Sequence, residues 1–129
     1  MSDSEITPSA SSQSKRIGQI IRLKRSALAD YKALHASAWP SVLAAISRSN
    51  ITDYSIYLVE TSMILFASFK YVGNDWEGDM RRMREDEDVR RWWEVTDGMQ
   101  ESFVEGAVGS ADEKGRGWWK DLEEVFRVE

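Results

Sequence analysis

The chain contains no cysteine, and this absence excludes disulfide bonds, thiol catalysis and zinc sites built from cysteine. It has one histidine, His35, so a histidine-rich metal site within one subunit is also excluded, and no metal or cofactor is expected. No apolar run approaches the length of about 20 residues that crosses a bilayer, so no membrane association is expected.

Excess positive charge is also missing. The 17 Lys and Arg residues are outnumbered by 22 Asp and Glu residues among 129, which gives a formal net charge of −5 and argues against nucleic acid as a partner. The arginines of residues 81–91 flank the acidic run 85–88, and such mixed charge is typical of a solvated helix face.

Composition and length predict two regions. Residues 1–15 are rich in serine and lack the apolar core of a secretory signal, so we expect a flexible tail and a cytoplasmic protein. Residues 16–129 are long and apolar enough for a single domain.

The hydrophobic pattern predicts an α+β fold with the ferredoxin-like order βαββαβ. The expected elements are a strand over 16–23, a helix from about 27 to 50, a hairpin of strands 51–60 and 62–72, a helix from about 75 to 103, and a last short strand, Glu123–Val128. Pro40 interrupts the first helix, because proline cannot donate the i to i−4 hydrogen bond, and it should restart a helix in its first turn.

Both faces of the predicted hairpin are apolar. Met63, Leu65, Ala67 and Phe69 occupy one side of its second strand, while the other side also carries apolar residues. Helices can cover only one face, and the other would expose a large apolar patch. We therefore expect a homodimer with its sheets packed face to face, a dimeric α+β barrel.

His35 is the first candidate for proton transfer, because its unperturbed pKa is the only one near neutrality in a chain without cysteine. It follows Tyr31 by four residues, so both side chains lie on one helical face. By spacing alone, a lone histidine is more often a packing or surface residue.

Five separated motifs resemble the L-rhamnose mutarotases. The similarity runs from about Arg16 to the C-terminus and rests on the order and spacing of these motifs: Tyr31-x-x-x-His35-x-x-x-Trp39-Pro40, Asp53–Leu58 (DYSIYL), Leu65–Ala67 (LFA), Asp88–Trp93 (DVRRWW) and Leu122–Phe126 (LEEVF). The resemblance implies a dimeric α+β barrel that interconverts the α and β anomers of L-rhamnose, a monosaccharide, without a cofactor.

The resemblance also implies roles for five residues. His35 stands at the position of the general acid, Tyr31 and Tyr54 at those of sugar-contacting tyrosines, and Trp92 and Trp93 at those of tandem sugar-binding tryptophans. Our hypothesis is that His35 serves the ring oxygen while a tyrosine hydroxyl or a water serves O1. From spacing alone, tryptophans on such a stripe are more often core residues than a sugar platform, and packing explains the two tyrosines as well as sugar binding does.

Two features depart from the family pattern. Ala36 and Ser37 follow the histidine in place of asparagine and proline, and residues 101–117 are rich in glycine and charge where the family has an asparagine- and proline-rich segment that helps to close the pocket. These departures concern the choice of sugar rather than the proton chemistry. Two alternatives stay open: a non-catalytic sugar-binding or dimerisation module on this fold, and a cofactor-independent oxygenase.

Overall fold

The computed structural model describes residues 14–129 and has an α+β architecture, in which four helices pack on one face of an antiparallel sheet. The strands are β1 (Lys15–Leu23), β2 (Ile51–Val59), β3 (Ile64–Tyr71), β4 (Gln100–Glu101) and β5 (Lys120–Asp121), and the helices are α1 (Leu28–Ala36), α2 (Pro40–Arg48), α3 (Trp76–Glu85) and α4 (Glu87–Gly98).

The sheet has the strand order β2-β3-β1-β4, with β5 also paired to β1 and every pairing antiparallel. This order is the one expected of a ferredoxin-like chain, so the predicted fold class is confirmed. The strand predicted over residues 16–23 is confirmed as β1, and the predicted hairpin is confirmed as β2 and β3.

One face of the sheet is buried beneath the helices. Along β3, residues 65, 67, 69 and 71 are buried, whereas the alternate residues 64, 66, 68 and 70 are only partly buried. This period of two is what a strand produces when a single face is covered.

The covered face carries two separate apolar clusters. Cluster 1 joins α2, α3 and α4 to the sheet through Ala45, Ile51, Phe69, Tyr71, Met83 and Val89. Cluster 2 joins α1 to the sheet through Ile21, Leu23, Tyr31, Met63 and Leu65. Ala67 and Gln19, which pair across β3 and β1, lie on the sheet between the two clusters.

The predicted break in the first helix is confirmed. α1 ends at Ala36, and α2 begins with Pro40 in its first turn after the extended residue Trp39. Proline suits this position because its missing N–H would have had no partner in a first turn.

The second predicted helix is also divided, and it ends early. Asp86 is extended, and its carboxylate accepts hydrogen bonds from the backbone N–H groups of Asp88 and Val89, which caps α4. α4 ends at Gly98 rather than at residue 103, because Gln100 and Glu101 pair with β1.

The predicted last strand, Glu123–Val128, is wrong. β5 comprises Lys120–Asp121, and the hydrogen bond from the Leu122 amide to the Gly18 carbonyl is the last backbone bond to β1. Val125 and Phe126 have the composition of a strand, but they are exposed, and no strand within residues 14–129 pairs with them.

Most of the predicted flexible tail lies outside the described residues, and Lys15 belongs to β1. Within residues 14–129, the longest helix has 12 residues, and none is long and apolar enough to cross a membrane.

Candidate active site

A β-bulge places Tyr54 on the covered face of the sheet. Thr52 pairs with Lys70 and Ser55 with Ser68, so Asp53 and Tyr54 together stand opposite one residue, Phe69. Asp53 takes a positive φ of 52°, and the Tyr54 ring packs on Phe69 with 5.2 Å between ring centroids. Bulges reorient side chains in this way next to active sites.

The tautomer of His35 is set by the turn of helix before it. Its Nδ1 lies 2.9 Å from the backbone carbonyl oxygen of Tyr31. A carbonyl oxygen only accepts, so Nδ1 carries the hydrogen and donates it. In the neutral ring, Nε2 is then the basic atom, free to accept a proton.

The electrostatics of the site favour the neutral imidazole. Burial lowers the pKa of His35 from its ordinary value of 6.5, and the hydrogen bond to the Tyr31 carbonyl opposes this effect only in part. At neutral pH the resting group is therefore a base at Nε2.

Aromatic rings hold this imidazole from two sides. Tyr31 stacks on it with 4.1 Å between ring centroids, and Trp92 packs against it in a T-shaped arrangement with 5.1 Å between centroids. Trp39 in turn contacts Trp92 edge to face at 5.1 Å. Trp39, which precedes the proline, thus supports the ring that supports His35, and the structure gives it a packing role.

The tandem tryptophans have different surroundings. Trp92 is only 8% exposed, and it packs against His35 and Trp39. Trp93 is half-buried against cluster 1, the cluster that also contains Phe69. Trp93 is therefore the more accessible ring of the two, while Trp92 serves as a support for the imidazole.

The two tyrosines both keep their protons at neutral pH. Tyr31 is buried, and burial together with the nearby Tyr54 raises its pKa far above the ordinary value of 10. Tyr54 is 41% exposed when all its atoms are counted, but its hydroxyl is buried, and this burial raises its pKa to about 12. Both hydroxyls are thus hydrogen-bond donors for a neutral ligand.

The structure brings four of the five predicted residues into one aromatic and phenolic group. Tyr31, His35 and Trp92 are in direct contact, and Tyr54 is close enough to Tyr31 to influence its ionisation. Trp93, the fifth, packs instead on cluster 1, which Tyr54 contacts through Phe69. This group lies at the boundary between clusters 1 and 2, because Tyr31 belongs to cluster 2 and Tyr54 packs on cluster 1.

Sequence reasoning missed three neighbours of this group. Trp76 stacks on Phe69 at 6.3 Å, and Gln100 donates a hydrogen bond to the Tyr31 hydroxyl. Gln19 lies on the sheet between cluster 1 and cluster 2, and its side-chain amide donates a hydrogen bond of 2.8 Å to Asp121. The sequence does carry a signal for Gln19. It is the one polar residue on the strand face that Ile17, Ile21 and Leu23 otherwise make apolar.

Comparisons with known proteins give one consistent result. A family model for L-rhamnose mutarotase matches residues 16–128. An L-rhamnose mutarotase of Bacteroides thetaiotaomicron is 38% identical over 72 residues, which cover 56% of this chain and 66% of that protein. One of Lactiplantibacillus plantarum is 25% identical over 114 residues, which cover 88% of this chain and 98% of that protein.

A solved structure shares the fold. The crystal structure of an L-rhamnose mutarotase from Formosa agariphila superposes with a TM-score of 0.66 at 23% identity, covering 89% of this chain and 99% of that one. The family model and the curated relatives confirm the resemblance found in the motifs and the enzyme class that it implied. The chain belongs to the L-rhamnose mutarotase family.

Proposed function

We propose that this protein interconverts the α and β anomers of L-rhamnose or a similar deoxy sugar. The observation that carries the proposal is the geometry of His35, whose Nδ1 is engaged by the Tyr31 carbonyl, so that Nε2 is the basic atom, and whose ring stacks on Tyr31. Family membership supports the same reaction.

The reaction needs one proton taken from the O1 hydroxyl and one given to the ring oxygen. In ring opening, Nε2 of His35 accepts the O1 proton, the bond from C1 to the ring oxygen breaks, and C1 becomes an aldehyde. The ring oxygen receives a proton from a tyrosine hydroxyl or a bound water. Rotation about C1–C2 and the reverse steps close the ring on the other face.

This assignment differs from the hypothesis drawn from the sequence, which placed His35 at the ring oxygen. A neutral resting imidazole is a base, and the group that must lose a proton first is O1–H. The protonated imidazole formed in this step then returns its proton when the ring closes.

Aromatic surface suits the rest of the sugar. The half-buried ring of Trp93 offers a face for the C–H groups and the methyl group of a 6-deoxy sugar, and its indole N–H can bind a hydroxyl. The tyrosine hydroxyls donate to other hydroxyls without bringing charge into the site. The compartment that we predict is still the cytoplasm.

We also propose that the protein is a homodimer through the open face of its sheet. Tyr57 is 60% exposed there, stacked on Phe66, and Val59 and Ile64 extend the same apolar surface. Pairing two copies would remove this surface from water.

Saturation-transfer NMR of L-rhamnose tests the reaction, because spontaneous anomer exchange is slow. We expect the protein to increase the transfer between the two anomeric proton signals. His35→Ala should reduce this exchange by about 100-fold, the usual scale for a positioned acid–base group. Lys32→Ala, exposed on the same helix, is the matched control and should exchange the sugar at the wild-type rate.

Either of two results would contradict the proposal. A folded His35→Ala variant with unchanged exchange would remove the imidazole from the mechanism. Binding of L-rhamnose and related sugars without any accelerated exchange would support the non-catalytic sugar-binding module instead.

A further inference from the structure

A chain of three side chains leads from the C-terminal segment to the active-site tyrosine. The indole Nε1 of Trp118 donates to Oε1 of Gln100 over 2.9 Å, and Nε2 of Gln100 donates to the hydroxyl oxygen of Tyr31 over 3.3 Å. Gln100 is 4% exposed, so water does not compete strongly for its amide.

The direction of these hydrogen bonds is fixed at the Trp118 end. An indole N–H can only donate, so the group of Gln100 that faces Trp118 must be its oxygen. The NH₂ group is then the part that faces Tyr31, and it can only donate. The Tyr31 oxygen therefore accepts from Gln100, and its own proton is left to be donated to another group.

We infer that Gln100, oriented by Trp118, is a positioning residue that reserves the Tyr31 hydroxyl proton for the sugar. This inference rests on the proposed function, because it assigns to Tyr31 the donation that the ring oxygen requires. Tyr31 also fixes the tautomer of His35 through its backbone carbonyl. Tyr31 thus supplies the donor and orients the base.

Trp118 is held by the segment in which the sequence departs from the family pattern. Ser102 Oγ donates to the backbone carbonyl of Trp118 over 2.5 Å and accepts from the Val104 amide over 2.9 Å. Further along, the amide and hydroxyl of Ser110 both donate to Asp97 at the end of α4. The segment between residues 102 and 118 is therefore a structured connection to the site.

The substitution Gln100→Glu tests the inference, because it nearly keeps the shape and reverses one polarity. A carboxylate accepts from both neighbours, so Trp118 can still donate while the Tyr31 proton turns toward residue 100 and away from the sugar. We expect kcat for anomer exchange to fall by about tenfold or more and KM to change by less than about threefold.

The pH dependence separates this effect from a packing defect. A protonated carboxyl donates with its O–H and accepts with its C=O, as the amide does, and Tyr31 stays protonated throughout. The ratio of Gln100→Glu to wild-type activity should therefore rise as the pH is lowered. For Gln100→Leu, which cannot donate at any pH, the ratio should stay low and constant.

The indole pair supplies a second test. Trp118→Phe keeps the ring but removes the donor, so Gln100 can rotate and kcat should fall by about threefold. Trp119→Phe is the matched control, since Trp119 packs on the same cluster 2 and, among the described residues, its indole has no hydrogen-bond partner. The kcat of Trp119→Phe should remain within about twofold of the wild-type value.

The indole ¹⁵N–¹H signal of Trp118 gives a readout that does not need activity. It should move downfield in Gln100→Glu, because the acceptor gains charge, and upfield in Gln100→Leu. An active wild type with equally active Gln100→Glu at every pH would overturn the inference and leave the proposed function intact. An inactive wild type in which the indole signal responds as expected would overturn the proposed function and support the predicted hydrogen-bond direction.

Discussion

The protonation state of His35 is decided by its neighbours rather than by its ordinary acidity. The Tyr31 carbonyl assigns the hydrogen to Nδ1, and burial among Tyr31 and Trp92 disfavours the imidazolium. The sequence could show that the chain has one such group and that Tyr31 shares its helical face. It could not show the tautomer, because this depends on the rotation of one side chain.

The pH profile of catalysis follows from this state. In the proposed mechanism the neutral form of His35 is the base, so kcat/KM should be low when His35 is protonated, rise as the pH increases through its pKa below 6.5, and then stay level. Anomer exchange measured from pH 4 to 8, after subtraction of the spontaneous rate, checks this sign. A rate that falls as the pH rises through the same range would mean that the protonated imidazole is the resting acid.

Among the elements, the start of α3 is fastened to the sheet by one buried carboxylate. Asp79 accepts from the Tyr71 hydroxyl at 2.6 Å, from the Asn50 side chain at 2.9 Å and from Arg82 at 2.5 Å. These donors lower its pKa from 3.8 to about 2. α3 carries Trp76, so this carboxylate also fixes the ring that stacks on Phe69.

Removing this charge should destabilise the fold in a pH-dependent way. A pKa of about 2 instead of 3.8 corresponds to about 2 kcal/mol of unfolding free energy at neutral pH. The carboxylate is favoured in the folded state, so this contribution is present above pH 4 and is lost as the pH falls toward 2. The unfolding free energy lost in Asp79→Asn should follow that course when denaturation is measured at several pH values.

The surface pair Asp88–Arg91 provides the comparison for this measurement. It has the same i to i+3 spacing as Asp79–Arg82, but its side chains are largely exposed. Asp88→Asn should change the unfolding free energy by less than about 0.5 kcal/mol. Equal losses in the two variants would show that burial of Asp79 contributes nothing.

The elements also show where sequence reasoning succeeds. β1, the hairpin and the break at Pro40 follow from local chemistry: alternation of side chains and a missing N–H. The strand predicted at Glu123–Val128 failed because strands are defined by partners distant in the sequence. The bulge at Asp53 and the hydrogen bond from Trp118 to Gln100 depend on tertiary contacts in the same way.

At the scale of the whole molecule, the proposed dimer rests on the open face of the sheet. The apolar surface around Tyr57 and Phe66 lies on the side away from the helices and from the active-site group. Assembly through this face would therefore leave the group around His35 facing its own helices. The sequence predicted this surface from apolar residues on both sides of the hairpin.

Charges placed on this face should separate the copies. We expect the wild type to have twice the monomer mass in light scattering, and Tyr57→Asp with Phe66→Asp to have the monomer mass, because a carboxylate is costly to bury. Tyr57→Asp alone, at the more exposed position, should weaken the dimer with little risk to folding. Leu43→Asp, exposed on α2, is the control and should leave the mass unchanged. A wild type that is monomeric at every concentration would contradict the proposed dimer.

The division of the core into two clusters has a thermodynamic consequence. Cluster 1 holds α2, α3 and α4, cluster 2 holds α1, and β1 and β3 run beneath both, so each half can open locally with its own free energy. A ligand bound at their boundary touches both halves and stabilises only the state in which both are closed. Saturating sugar should thus slow amide hydrogen exchange in α1 and in α4 together, so that the two halves behave as one cooperative unit when the site is occupied.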